Sequence, residues 1–175
     1  NSMTVGDFNN DGKLDLAVAN SVKNAATVYL GNGDGTLRAS WNASLGAAAD
    51  YSNTIDHGDF NGDGKLDLVV SHYTTRDVHI LLGQGDGTFV VAFRYPAGVD
   101  LRSVTVGDMN GDKKLDLVMG QRYEYTLNIL FGNGDGTFRA PQGYGTAQGP
   151  SQVAVGDLNN DGRMDIAAAC SYAGV

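Results

Sequence analysis

One cysteine, one glutamate and three histidines are all that this chain of 175 residues has of three chemically useful residue types. The lone Cys170 excludes an intramolecular disulfide framework, and its place in an apolar stretch predicts a small buried residue, not a reactive thiol. With Glu124 as the only glutamate, an acid and base pair has few members to draw on outside the aspartate-rich segments. Neither a Ser-His-Asp ordering nor a zinc-type ligand spacing is present, so an enzyme is the weaker expectation. No apolar run reaches the twenty or so residues that a membrane helix needs, which predicts no membrane insertion. No leader is recognisable at Asn1, where the chain opens inside a repeat.

Aspartate is what the chain has in excess. Its formal charge is −8, and most of its acidity sits in four copies of one nine-residue pattern, D-x-N-x-D-(G)-x-x-D. The copies run from Asp7 to Asp15, Asp59 to Asp67, Asp108 to Asp116 and Asp157 to Asp165. Three carboxylates in nine residues repel one another unless a cation neutralises them. Calcium takes six to eight oxygen ligands with loose geometry, whereas magnesium demands a tight octahedron and zinc prefers nitrogen or sulfur. The expected ligands are Asp7, Asn9, Asp11 and Asp15; Asp59, Asn61, Asp63 and Asp67; Asp108, Asn110, Asp112 and Asp116; and Asp157, Asn159, Asp161 and Asp165. Position 7 of each loop (Lys13, Lys65, Lys114, Arg163) would add its backbone carbonyl. Up to four Ca²⁺ would bring the chain near neutrality, so its acidity serves the metal and argues against a nucleic-acid partner. In the third loop Lys113 replaces the glycine of position 6. A left-handed residue with a Cβ costs about 1 kcal/mol, and that site is expected to be the weakest.

The loops recur with periods of 52, 49 and 49 residues. A second motif follows at a constant offset: Gly31-Asn32-Gly33-Asp34-Gly35-Thr36, Gly83-Gln84-Gly85-Asp86-Gly87-Thr88 and Gly132-Asn133-Gly134-Asp135-Gly136-Thr137. The interval from the last loop aspartate to the first glycine of this turn is always 16 residues. Short β-branched or small-residue segments flank both motifs, which predicts four antiparallel strands per repeat. Four strands per period of about 40 to 50 residues describe a propeller blade. The expected fold is therefore all-β, a β-propeller of about three and a half blades at approximately 1–50, 51–99, 100–149 and, in part, 150–175.

These two motifs at fixed spacing resemble the integrin-type FG-GAP and VCBS repeat family over essentially the whole chain. That resemblance implies seven-bladed propellers with calcium in the loop between the first and second strands of a blade. An EF-hand fits less well, lacking its Glu at position 12 and its helices. Dockerin loops lead into helices at half this period, and the β-roll nonapeptide is absent. Three and a half blades cannot close, so completion is expected from further blades of a longer chain or from homodimerisation.

Weak calcium loops need millimolar calcium, which predicts an extracellular or cell-surface location. The loops between second and third strands (20 to 26, 72 to 77, 121 to 126) and the blade connections (41 to 53, 94 to 102, 141 to 151) should share the face opposite the calcium. They hold Trp41, Tyr51, Arg94, Tyr95 and Arg102 among other aromatic and planar groups. A ligand-facing patch is expected at His72, Tyr73, Arg76, Arg122, Tyr123 and Tyr125, suited to a carbohydrate or protein ligand. His57 stands where other repeats have Val5, Val106 and Val155, and should be a satisfied interior group. The favoured function is a calcium-stabilised adhesion or binding module. The alternatives are the propeller portion of a carbohydrate-active enzyme such as a polysaccharide lyase, or a structural unit of a larger surface assembly.

Overall fold

The computed structural model describes residues 2–46, 52–72, 75–98 and 100–171, the side chains of Ser52 and Asn53 excepted. The described residues form fourteen strands and no helix. In chain order these are β1 (Ser2–Gly6), β2 (Asp15–Asn20), β3 (Ala25–Gly31), β4 (Leu37–Ser44), β5 (Ser52–Gly58), β6 (Asp67–His72) and β7 (Asp77–Gly83). They continue with β8 (Phe89–Pro96), β9 (Leu101–Gly107), β10 (Asp116–Gln121), β11 (Thr126–Leu130), β12 (Gln142–Gly145), β13 (Pro150–Gly156) and β14 (Asp165–Cys170). They pair, each with its sequence neighbour and antiparallel, into three four-stranded sheets and one two-stranded sheet. This is a β-propeller of three blades and a half, not closed into a ring.

The blades stack face to face, and burial along the second strands records it. In β6 and β10 all six residues are buried, because a blade covers each side. β2 alternates between buried and half-buried, with Ala17 and Ala19 fully covered against the second blade. One apolar cluster joins Phe8, Val28 and Leu30 to Ile55, Leu68 and Phe89 across the first junction. A second joins Phe60, Ile80 and Val69 to Leu117, Met119 and Phe138. A third, smaller one sits between blade three and the half blade, around Val118, Ile129 and Val153. The first strands β1, β5, β9 and β13 neighbour one another in turn, and polar side chains tie them. The Val104 amide donates to Thr54 Oγ1 (3.1 Å), the Val106 amide to Asp56 Oδ2 (3.0 Å) and the Val153 amide to Ser103 Oγ (3.1 Å). His57 is held between Thr4 Oγ1 (2.6 Å) and the edge of the Phe8 ring, a satisfied junction group as its position implied.

Several boundaries differ from the expectation. Trp41 lies on β4, and Arg94 and Tyr95 lie on β8, because these two strands each run for eight residues before the connection begins. Trp41 packs into the first junction against Phe89, and the Tyr95 hydroxyl accepts from the Phe138 amide (3.1 Å). Tyr51 lies outside the described residues. Cys170 is exposed, not buried. Its counterparts gain cover from a next blade, whereas β14 ends a two-stranded sheet.

Candidate functional site

Each acidic loop joins the first strand of its blade to the second and is built from its own side chains. In the first loop Asp7 Oδ1 accepts from the Asp11 amide (3.1 Å) and Oδ2 from the Gly12 amide (2.8 Å). Asn9 Oδ1 also accepts from the Asp11 amide, and Asp11 Oδ1 accepts from the Lys13 amide. The same lattice recurs on Asp59, Asn61 and Asp63, on Asp108, Asn110 and Asp112, and on Asp157, Asn159 and Asp161. Two left-handed residues let the chain wrap this tightly. Position 6 is Gly12, Gly64 and Gly162, with Lys113 forced to φ 67° in the third loop. Position 4 is Asn10, Gly62, Gly111 and Asn160, all at positive φ. The sequence reading considered only position 6, although Asn and Gly at position 4 carried the same signal.

The ninth residue has a task the sequence did not announce. Asp15 Oδ2 accepts from the Phe8 amide (2.8 Å) and Oδ1 from the Gly31 amide (2.8 Å), with the side chain fully buried. Asp67 spans Phe60 and Gly83, and Asp116 spans Met109 and Gly132, in the same way. Each is a strut between the acidic loop and the end of the third strand. Asp165 receives the Leu158 amide alone among the bonds described. Burial, followed by the nearby charges of Asp63 and Asp59, pushes the Asp67 carboxyl up to about 6 against its two backbone donors. Asp116 is raised for the same reasons. At position 7, Lys13 Nζ lies 3.7 Å from Asp11 Oδ2 and Lys65 Nζ 3.5 Å from Asp63 Oδ2.

The Gly-Asp-Gly-Thr turns close this end of the blades. Within each turn a hydroxyl and an amide of the threonine bind the aspartate, as Thr36 does to Asp34 Oδ1 at 2.6 and 2.9 Å. The second and third turns also reach back to the preceding blade: the Gly87 amide donates to the Phe8 carbonyl (3.1 Å) and the Gly136 amide to the Phe60 carbonyl (2.9 Å). A cleft of about 540 Å³ between the third and fourth loops, lined by Asp108, Met109, Asp157 and Arg163, lies where such a turn would sit.

At the opposite end the second-to-third turns meet the blade connections, as expected. The Leu45 amide donates to Asn24 O, Ala97 to Arg76 O and Thr146 to Tyr125 O. Here the expected ligand patch divides. Arg76, Tyr123 and Tyr125 are exposed, and half-buried Arg122 places its guanidinium 5.6 Å from the Tyr123 ring centre. Tyr73 lies outside the described residues. His72 is not part of that exposed surface: it is 1% exposed. The reason is that β6 runs through His72 and β7 begins at Asp77, so the turn is shorter than the 72-to-77 loop expected.

Among the described residues, the one group of three metal-ligating side chains whose ligand atoms all lie within 4.8 Å of one another is His72, Asp77 and His79. Sequence reasoning missed it because the three meet only through the register of a hairpin. The signal was an Asp-x-His alternation on a strand facing a histidine at the end of the previous one.

The FG-GAP-like repeat model matches residues 7–70, 59–119 and 108–168. Curated protein sequences give no match. Among solved structures, an Agrocybe aegerita lectin described for specific recognition of non-reducing terminal N-acetylglucosamine superposes with a TM-score of 0.64 at 20% identity, over 94% of this chain and 45% of the lectin. BBS1N in complex with ARL6DN gives 0.63 at 16% identity, over 96% and 50%. A Tc holotoxin pore of Photorhabdus luminescens gives 0.57 at 18% identity, over 94% and 8%. The chain spans about half the length of the first two.

Proposed function

Since the chain belongs to the family of FG-GAP-like repeats, we propose that it is part of an extracellular β-propeller whose acidic loops take calcium at one end while the turns at the other end hold a ligand. The observation that carries this reading is the lattice repeated in the four loops. Each carboxylate and amide oxygen at positions 1, 3 and 5 spends a lone pair on a loop amide and keeps another for a hard cation. The donor set is oxygen-only and fits calcium. Asp7, Asn9 and Asp11 and their equivalents would hold the ion, with Lys13 swinging off Asp11. The position-9 struts bring a buried negative charge to the floor of the loop, which a cation would offset. Calcium here would neutralise and brace, not react. Lys113 makes the third loop the weakest of the four.

Carbohydrate is the ligand class this reading favours. Tyr123 and Tyr125 present exposed rings, with Arg122 against Tyr123 and Arg76 exposed on the corresponding turn of the second blade, a surface suited to stacking on a sugar. That a lectin is similar in fold supports it, and a protein ligand is the alternative. The uncovered ends of the array are also meant for partners: Met3 is 65% exposed, while its counterpart Ile55 in the second blade is 4% exposed. Further blades, of a longer chain or of a second copy, cover those faces.

Thermal unfolding of the chain and of Asp11→Ala, each in millimolar calcium and in chelator, tests the core of the proposal. At a Kd on the order of 10⁻⁴ M, a calcium site adds about 1.4 kcal/mol at millimolar ion. Asp11→Ala should therefore lose about that much more stability in calcium than in chelator. Equal losses would refute calcium ligation. A glycan screen in calcium, with terminal N-acetylglucosamine included, separates a sugar ligand from a protein one.

A further inference from the structure

We propose that His72, Asp77 and His79 form a binding site for one divalent transition-metal ion of the zinc class, separate from the acidic loops in place and in chemistry. The register of the second blade puts the three on one face. β6 and β7 are antiparallel with His72 opposite Asp77, and Asp77 and His79 are two apart on β7. Side chains alternate along a strand, so residues two apart share a face with a directly opposed partner. The two imidazole rings lie 4.2 Å apart, centre to centre, and His79 Nε2 is 3.7 Å from Asp77 Oδ1. A tetrahedral ion with bonds of about 2.0 to 2.2 Å needs ligand atoms about 3.3 to 3.6 Å apart. The His79 and Asp77 pair is nearly there, and small torsions of the rings close a set already inside 4.8 Å.

Two nitrogens and one carboxylate oxygen select a borderline ion over calcium, which takes oxygen. All three side chains are buried, His72 at 1%, Asp77 at 4% and His79 at 6% exposure, so folding has already met the cost of ordering them. Asp77 is oriented as a ligating carboxylate usually is. Thr75 Oγ1 donates to Oδ1 (2.7 Å) and Arg94 Nε donates to Oδ2, which leaves Oδ1 directed at His79. Arg94 is more than half exposed, so solvent screens part of its charge, while its contact with the far carboxylate oxygen holds Asp77 in place. Three protein ligands leave a fourth position, and an open depression lined by Thr75, Arg76, Asp77, Arg94 and Pro96 reaches Asp77 from outside. Water or a small anion would enter there.

The neighbouring blades act as internal controls. The corresponding positions hold Asn20, Ala25 and Thr27 in the first blade and Gln121, Thr126 and Asn128 in the third. In the third blade Thr126 Oγ1 donates to Gln121 Oε1 (2.9 Å), and the Gln121 amide reaches the Ala97 carbonyl. A neutral network therefore suffices to build this corner, and the fold itself does not call for two imidazoles and a carboxylate.

The test is a calorimetric Zn²⁺ titration of the chain with calcium in excess, so that zinc does not report on the acidic loops. The double variant His72→Gln/His79→Asn, which installs the residues of the third blade, and the control His57→Asn are titrated alongside. The expected result is about one zinc per chain, a loss of at least about 100-fold in affinity in the double variant, and none in the control. Co²⁺ on the unmodified chain should give the intense visible bands of a four-coordinate site, and histidine NMR should place the ion on His72 and His79 without any substitution. Absence of micromolar binding, zinc retained by the double variant, or shifts confined to His57 would each overturn the proposal. If the double variant does not fold, the cobalt and NMR readouts decide.

Discussion

Substituting Gly83 by alanine puts the strut geometry to a direct test. Gly83 ends β7 opposite the acidic loop of its own blade, and a Cβ built on it would lie under 3.0 Å from the Leu66 carbonyl oxygen and 3.1 Å from its carbon. Both neighbours are backbone, so no side-chain torsion relieves the clash. Moving the strand end outward also breaks the bond from the Gly83 amide to Asp67 Oδ1 (2.8 Å) and strands a buried carboxylate. Overpacking of this kind costs about 1 to 3 kcal/mol, and a hydrogen bond to a buried charged acceptor about 1.5 to 3 kcal/mol. Together they give about 2.5 to 6 kcal/mol, or a fall in Tm on the order of 10 °C for a chain of this size. Gly35→Ala is the matched control. Its φ is +87° and nothing lies within 4 Å of an added Cβ, so it loses only the left-handed preference, about 1 kcal/mol. Circular-dichroism melts in chelator compare the two without any contribution from metal. A Gly83→Ala shift no larger than that of Gly35→Ala would refute the strut. Gly31 and Gly132 face Leu14 and Leu115 in the same way and should repeat the result.

Stability in chelator should pass through a maximum with pH. Asp67 has a folded value of about 6 against 3.8 when unperturbed, chiefly through burial, so the folded state holds the extra proton and stability falls as pH rises from about 4 to about 6. Asp34, Asp86 and Asp135 are held low by the hydroxyls of Thr36, Thr88 and Thr137, and their contribution is lost as pH falls below about 4. Urea midpoints from pH 3 to pH 8 read both limbs, and saturating calcium should flatten the upper one; an upper limb unchanged by calcium would count against cation binding at the Asp67 loop. Lys113→Gly should relieve the strain at φ 67° and raise the urea midpoint in chelator by an amount equivalent to about 0.5 to 1 kcal/mol. A lowered midpoint would mean that the lysine side chain supports the third loop.

Sequence pattern alone exposed the blades because turn chemistry is local. Asp-Gly turns, the acidic loops and their constant spacing each fix a strand end without reference to the rest of the fold. The 16-residue interval from Asp15 to Gly31 was visible as well, but its cause was not: it is the length of chain that brings the buried carboxylate to the Gly31 amide. What stayed illegible depended on register and on cover. His72 read as a loop residue until pairing with Asp77 placed it inside the strand. Cys170 reads as buried from its apolar stretch, but β14 belongs to a two-stranded sheet and leaves it exposed.

The bonds from the second and third glycine turns to the preceding blade have a thermodynamic consequence. Phe8 donates its amide to Asp15 of its own blade, and its carbonyl accepts from the Gly87 amide of the next; Phe60 does the same with Asp67 and Gly136. Each such bond couples an acidic loop to the neighbouring blade, and that coupling acts equally in both directions. An array coupled in this way behaves as a one-dimensional lattice with nearest-neighbour cooperativity. If the loops take calcium as proposed, the isotherm should be steeper than that of independent loops, and damage to one loop should lower the affinity of the loop beside it.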